Sequence, residues 1–250
     1  MPLSVVIITL NEEAHIEDCI RRVAWAGEVL VVDSGSTDLT CEKAKNLGAR
    51  VLKKDWQGFG EQKHWAAGQA RWDWILSLDA DERLSAEAAA EIENSWSQLD
   101  PQTAYEFPRL SWHLGRWIRH GGWYPDLQRR LFNRRHSMWR RVPIHESVDS
   151  PRRKKMQGEI RHLVFRDLSH QVQTNNRYST LQAEEHYRRS QRASGYRIFV
   201  KPWIKFLECY FVKLGFLDGL AGFVIAVGAA HSVFIRWVKV WEMERQRKSQ

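Results

Sequence analysis

With 250 residues, 43% of them hydrophobic, the chain has enough apolar material to bury a full core as one α/β domain with or without a smaller appendage. No segment is low-complexity, which excludes a largely disordered chain. The net charge of +8 is local: residues 109–166 hold 15 Arg and Lys against 4 acids, so this stretch calls for an anionic partner while the remainder is slightly acidic.

The chain opens on MPLSVVIITLNEE, an apolar run with no cationic leader region and no cleavage site, which predicts a first strand rather than a signal peptide. Cys19, Cys41 and Cys209 are odd in number and far apart, without metal or redox spacing, and predict reduced thiols in cytosol. Strands are predicted at 3–10, 28–33, 49–53 and 74–79 from their β-branched runs, and helices at 12–25, 37–47 and 59–70 between them. Ser85 is placed to cap a fourth helix running to Gln98. A β-α-β-α-β-α-β order implies a parallel sheet with right-handed crossovers, and ligands then bind beyond the carboxyl ends of its strands.

Polar letters fall at those ends. Thr9, Asn11 and Glu12 close the first strand, Asp33-Ser34-Gly35-Ser36-Thr37-Asp38 the second, and Asp79-Ala80-Asp81-Glu82 the fourth. Two carboxylates one residue apart at a turn can share a hard cation, Mg²⁺ or Mn²⁺, that bridges phosphate oxygens; the same pair also reads as turn acids at a helix start. VVDSGSTDLT reads as a capped βα turn that leaves Asp33 at the strand tip to accept from a base or ribose. Neither G-x-G-x-x-G nor a P-loop occurs, which argues against a nicotinamide enzyme and a P-loop NTPase.

From about Pro101 the α/β rhythm lapses, and Trp112, Trp117, Trp123 and Trp139 interleave with arginines. Residues 171–192 predict a polar amphipathic helix. Residues 214–235 are apolar apart from Asp218, His231 and small residues, with cations on both flanks. The uninterrupted apolar core is short of the roughly 20 residues a spanning helix needs, so in-plane or re-entrant membrane contact is expected.

SVVIITLNEE, VVDSGSTDLT, GFGEQKHWAAGQA and WILSLDADE stand in the order and spacing of family 2 glycosyltransferases, whose fold is called GT-A. GWYPDLQRRLFNRR, VPIHESV and YFVKLGFLDGLAGFVIA further resemble the bacterial β-1,4-glucosyltransferases of the lipopolysaccharide inner core. That resemblance implies a GT-A Rossmann-like, mostly parallel sheet with a C-terminal helical membrane-associating segment. It divides the chain into a nucleotide-sugar half (1–105), an acceptor half (106–200) and a tail (201–250). Asn11 and Glu12, with Thr9, would line the nucleoside pocket, Asp33 the uridine, Asp79 the ribose and Asp81 the metal. Ser34 stands where many members carry a second Asp.

The expected donor is a UDP-sugar, glucose by resemblance, and the acceptor a heptose of the lipopolysaccharide core. The enzyme would sit peripherally on the cytoplasmic face of the inner membrane. Lys63 is expected to approach donor phosphate, with a solvated helix lysine as the alternative. An inverting transfer needs a base beyond the metal motif: Glu146 is expected, with Asp126 and then Asp149 as rivals. Arg129 and Arg130, and the Arg134-Arg135 pair, are expected on the acceptor side, where guanidinium forks suit phosphate; Trp123 would stack on sugar and His145 would orient the base or contact phosphate. Two rival readings stay open: a polyprenyl-phosphate acceptor, and a non-catalytic nucleic-acid-binding protein, the latter without any recognised module and so not expected to find nucleic acid as its partner.

Overall fold

A computed structural model of the chain describes residues 1–142 and 146–248. The strands and helices follow as β1 (Leu3–Thr9), α1 (Ile16–Arg21), β2 (Glu28–Asp33), α2 (Thr40–Asn46), β3 (Arg50–Lys53), α3 (Phe59–Gly68), β4 (Trp74–Asp79), β5 (Glu82–Leu84) and α4 (Ala86–Ser95). There follow β6 (Thr103–His113), β7 (Arg116–Ile118), β8 (Asp126–Asn133), β9 (Met138–Trp139), β10 (Val148–Asp149), β11 (Arg152–Lys155), β12 (Ile160–His162), α5 (Leu168–Arg188), α6 (Lys201–Leu207) and α7 (Gly219–Lys248).

The predicted strands and helices of the first hundred residues are all present, the helices shorter at their ends than the sequence pattern suggests. The Ser85 cap is real: its hydroxyl accepts from Ala88 N at 3.1 Å. The predicted polar helix starts three residues early, at Leu168, where Asp167 caps it by accepting from His170 N at 2.7 Å.

The chain divides into two compact units. The first comprises 1–110 and 126–162, the second 111–125 and 163–250.

In the first unit β3-β2-β1-β4 are parallel neighbours, and the order continues through β8, β6, β12 and β5. β8 is antiparallel to both β4 and β6. Every residue of β1 is buried because helices cover both faces of the sheet. Leu3, Val5 and Ile7 face Ile16, Cys19 and Ile20 of α1, while Val6 and Ile8 share the other core with Ala66 of α3, Phe132 and Trp139. This α/β sheet, parallel through its first four strands and mixed beyond, is the architecture the resemblance implies. It brings the carboxyl ends of β1, β2 and β4 to one rim.

In the second unit β7 pairs with residues 111–113 of β6. Two further helical stretches, Tyr196–Val200 and Glu208–Val212, adjoin α6 on either side in wider π-type turns.

Candidate active site

The rim is built by short-range hydrogen bonding between neighbouring loops. Asn11 holds a φ of 54°, a left-handed conformation that Asn adopts more readily than most residues. Its N–H donates to Ser36 Oγ at 2.8 Å and its side-chain oxygen accepts from Thr37 N at 2.9 Å, tying the end of β1 to the loop after β2. Glu12 N donates to Thr40 Oγ1 at 2.8 Å. Thr9 is buried at the same strand end, and its Oγ1 has no hydrogen-bond partner among the described residues. Asp33 is fully buried and accepts from Gly35 N, Ser36 N and Ser36 Oγ, so its carboxylate also closes its own turn. The reason is local, since a carboxylate two and three residues before free amides satisfies them first.

The deeper half of the site is an ion network around the DAD turn. Lys63, on α3, is buried and stands 3.0 Å from Asp79 Oδ1 and 3.4 Å from Glu146 Oε1. The solvated alternative for Lys63 therefore falls, because α3 packs this face against the sheet. Arg130, also buried, donates to Asp79 Oδ2 at 3.0 Å and to Glu82 Oε1 at 2.5 Å. Both cations lie over the indole of Trp139, at 4.9 and 5.8 Å from its centroid, a contact that favours a desolvated cation. Burial works to raise the Asp79 pKa, but the charges of Lys63 and Arg130 outweigh it and hold the carboxyl well below the usual range.

Glu82, the last of the polar letters at the end of the fourth strand, is the hub of this network. It is fully buried, accepts from Asp79 N at 3.0 Å, and takes Arg130 and Arg109, the latter at 3.3 Å. Arg109 in turn grips Asp126 through Nε and Nη2 at 2.9 and 2.6 Å, and Gln128 donates to the other Asp126 oxygen at 2.8 Å. Asp81 turns the other way: its Oδ2 lies 3.2 Å from His162 Nε2 at the end of β12. His162 Nδ1 is buried without a hydrogen-bond partner among the described residues. His162 and Arg109 carry no local motif; His162 lies 81 residues from Asp81 and meets it only because β12 pairs antiparallel with β5.

Charge balance bears on whether a metal suits the site. The carboxylates of Asp79, Asp81, Glu82, Asp126 and Glu146 face the fixed cations Lys63, Arg109 and Arg130, so negative charge is in excess even with His162 protonated. Asp79 is engaged by Lys63 and Arg130, which leaves Asp81 and His162 as the residues that would hold a metal. Among the described residues no three His, Cys, Asp or Glu converge as a metal group. The Asp81 carboxylate and the unpartnered His162 Nδ1 offer the oxygen and imidazole donors that would suit Mg²⁺ or Mn²⁺.

Other expected residues land elsewhere. Arg129 alternates with Arg130 on β8 and so points to the opposite face, where it donates to Glu106 Oε1 at 3.0 Å and Val148 O at 2.6 Å. Arg130 sits beneath Asp79 rather than on an open acceptor face. Arg134 and Arg135 are corrected outright: β8 runs antiparallel to β4, pairing Asn133 with Trp74, so both arginines lie at the amino end of β4 beside Asp73. Trp123 belongs to the second unit, where it packs with Ile118, Ala221 and Ile225 and stacks on His113 at 5.6 Å. Asp149 is exposed and paired with Arg140 at 3.0 Å. His145 lies outside the described residues.

Comparison with known proteins supplies the family. The model of Glycosyl transferase family 2 matches residues 4–154. An uncharacterised glycosyltransferase of Rickettsia typhi is 31% identical over 99% of this chain and 89% of its own length. Another from Rickettsia bellii is 33% identical, covering 98% and 87%. The lipopolysaccharide core biosynthesis glycosyltransferase LpsC of Rhizobium meliloti is 28% identical, covering 97% of this chain and 93% of that protein.

Proposed function

This chain belongs to glycosyl transferase family 2, and from that premise we propose that it transfers a hexose, glucose from UDP-glucose, with inversion to a heptose of the lipopolysaccharide inner core. One observation carries the reading. Lys63 is buried between Asp79, on the donor motif, and Glu146, so the motif and a separate carboxylate share one rim.

In this reading Thr9, Asn11, Glu12 and Asp33 bound the nucleoside pocket, and Thr9 Oγ1 supplies the hydrogen-bonding capacity it leaves unused in the chain itself. Asp79 reaches the ribose, and Lys63 and Arg130 set positive charge beneath the diphosphate. Asp81 and His162 would hold Mg²⁺ or Mn²⁺, which would supply positive charge to offset the negative charge developing on the leaving diphosphate. Glu146 takes the proton from the acceptor hydroxyl. Asp126 is the poorer base because Arg109 holds one of its oxygens through two N–H groups and Gln128 occupies the other.

The acceptor class rests on the name of the Rhizobium meliloti relative together with the resemblance of the C-terminal motifs. Such an acceptor is anchored in the inner membrane, so the enzyme works peripherally on its cytoplasmic face.

The test is to incubate the purified chain with a panel of UDP-sugars, Mg²⁺ or Mn²⁺, and acceptors carrying either heptose-containing core or polyprenyl phosphate, and to weigh the products. One hexose added to the core acceptor, abolished by a chelator, is expected. Undiminished transfer in chelator would remove the metal from the scheme. Transfer to polyprenyl phosphate alone would replace the acceptor.

A further inference from the structure

A helix of a water-soluble protein turns its apolar stripe inward. In the second unit the continuous helical stretch 196–212 does the reverse. Phe199, Val200, Trp203, Ile204, Leu207 and Phe211 recur at helical spacing and are exposed, Phe199 and Trp203 each to 69%. The buried side of the same stretch is Cys209, while the rings of Phe206 and Tyr210 rest against Phe223 of α7 at 5.9 and 5.7 Å. The exposed apolar surface continues through Leu217 and Leu220, the latter 78% exposed, to Phe223 and Val227. Runs of this kind mark contact surfaces.

The chemistry of the occupant follows from charge and from what α7 is tied to. From Arg192 to Lys213 there are five cations and one acid, Glu208; Arg197 and Lys201 edge the apolar stripe from over the Trp237 ring, and Lys205 and Lys213 pair with Glu208 at 3.1 and 2.6 Å. Cations flanking an exposed aromatic and aliphatic stripe match anionic headgroups above hydrocarbon.

Residues 215–247 are long and apolar enough to cross a bilayer by length and composition. Their polar bonds oppose it. Lys239 Nζ donates to Asn176 Oδ1 and Thr180 Oγ1, both at 2.7 Å, and Arg236 donates to Gln182 Oε1 at 2.7 Å, which fastens this helix to the polar α5. At its start Asp218 is buried and accepts from the N–H groups of Arg119 and His120. A crossing would strip these bonds or draw α5 into hydrocarbon, each unsatisfied group costing several kcal/mol there.

We propose that the outward face of residues 196–227 is an in-plane docking surface for an anionic phospholipid bilayer, with the helices lying along the interface rather than crossing it. This deepens the membrane part of the proposed function and stands without its chemistry.

The test is flotation of the full chain with vesicles of phosphatidylethanolamine and phosphatidylglycerol, beside vesicles of phosphatidylcholine alone. Wild type is expected to float with the anionic vesicles and to be quenched by lipids brominated near the headgroup more than by lipids brominated at the acyl terminus, and Trp203→Phe to lose most of that quenching. Joint Phe199→Glu and Trp203→Glu substitution is expected to lower partitioning by about tenfold or more, with hydrolysis of UDP-sugar unchanged as the check on folding.

Unchanged partitioning of the double variant overturns the proposal. So does a dimer in lipid-free solution that the same substitutions dissolve, since the face would then belong to a second copy. Vesicle binding by a wild-type chain that transfers no sugar upholds the surface and overturns the reaction reading.

Discussion

The two ends of β4 carry equally dense charge and do opposite work. At its amino end Arg134 pairs with Asp73 and donates to the carbonyls of Ala67, Gly68 and Ala70, closing the last turn of α3, while Glu28 accepts from Ser4 Oγ, Arg71 N and Arg50 Nε at 2.5, 2.6 and 3.0 Å. There each of these charged side chains is held by neighbours of the same chain. At the carboxyl end Thr9 Oγ1 and His162 Nδ1 lack hydrogen-bond partners among the described residues, and carboxylates exceed fixed cations. Charge density alone does not distinguish a binding site from a structural clasp; here the two ends differ in unused bonding capacity beside excess carboxylate.

The sharpest way to break the comparison is at Asp81. Asp81→Ala is expected to lower transfer by about 10³-fold or more while the far-ultraviolet dichroism and melting temperature stay near wild type, as befits a ligand and not a clasp. Next comes Glu146→Gln, expected to cut turnover by about 10²–10⁴-fold with UDP-sugar binding retained in calorimetry. A near-normal rate in that variant would pass the role to Asp126. The opposite end should respond the opposite way: Arg134→Ala is expected to cost on the order of 1–3 kcal/mol of stability in denaturant unfolding and to leave kcat of the folded fraction unchanged.

The smallest effect is on pH. Burial pulls the Asp79 pKa up, yet Lys63 and Arg130 bring it below the ordinary aspartate value in the folded chain. A carboxyl depressed by folding adds stability that is complete above its unfolded pKa and is lost as pH falls through the folded one. Stability followed by urea unfolding should therefore decline on the acid side, and Asp79→Asn should flatten that decline. An identical acid limb in the variant would show that Asp79 contributes nothing to it.

Local patterning was a good guide wherever one element decides the outcome. β1 is buried on both faces, and its uninterrupted LSVVIIT run announces that. The Ser85 cap and the DAD turn at the end of β4 were equally readable. Arg129 and Arg130 were not: as neighbours in sequence they read as one acceptor-side pair, but strand alternation sends one to Glu106 and the other to Asp79 and Glu82. The segment 214–235 was legible as apolar, while the exposed stripe at 196–212 was not, because inward and outward faces of a helix have the same spacing.

The sequence by itself determined the order of strands and helices, the placement of polar letters at strand ends, and the two carboxylates of the DAD turn, since each follows from spacing within a few residues. Only the tertiary structure decided who meets them. The antiparallel return of β8 delivers Arg130 to Asp79 and removes Arg134, and the β5–β12 pairing brings His162 to Asp81. Those meetings depend on register across the sheet, and register is set by packing of the whole core rather than by any run of neighbouring residues.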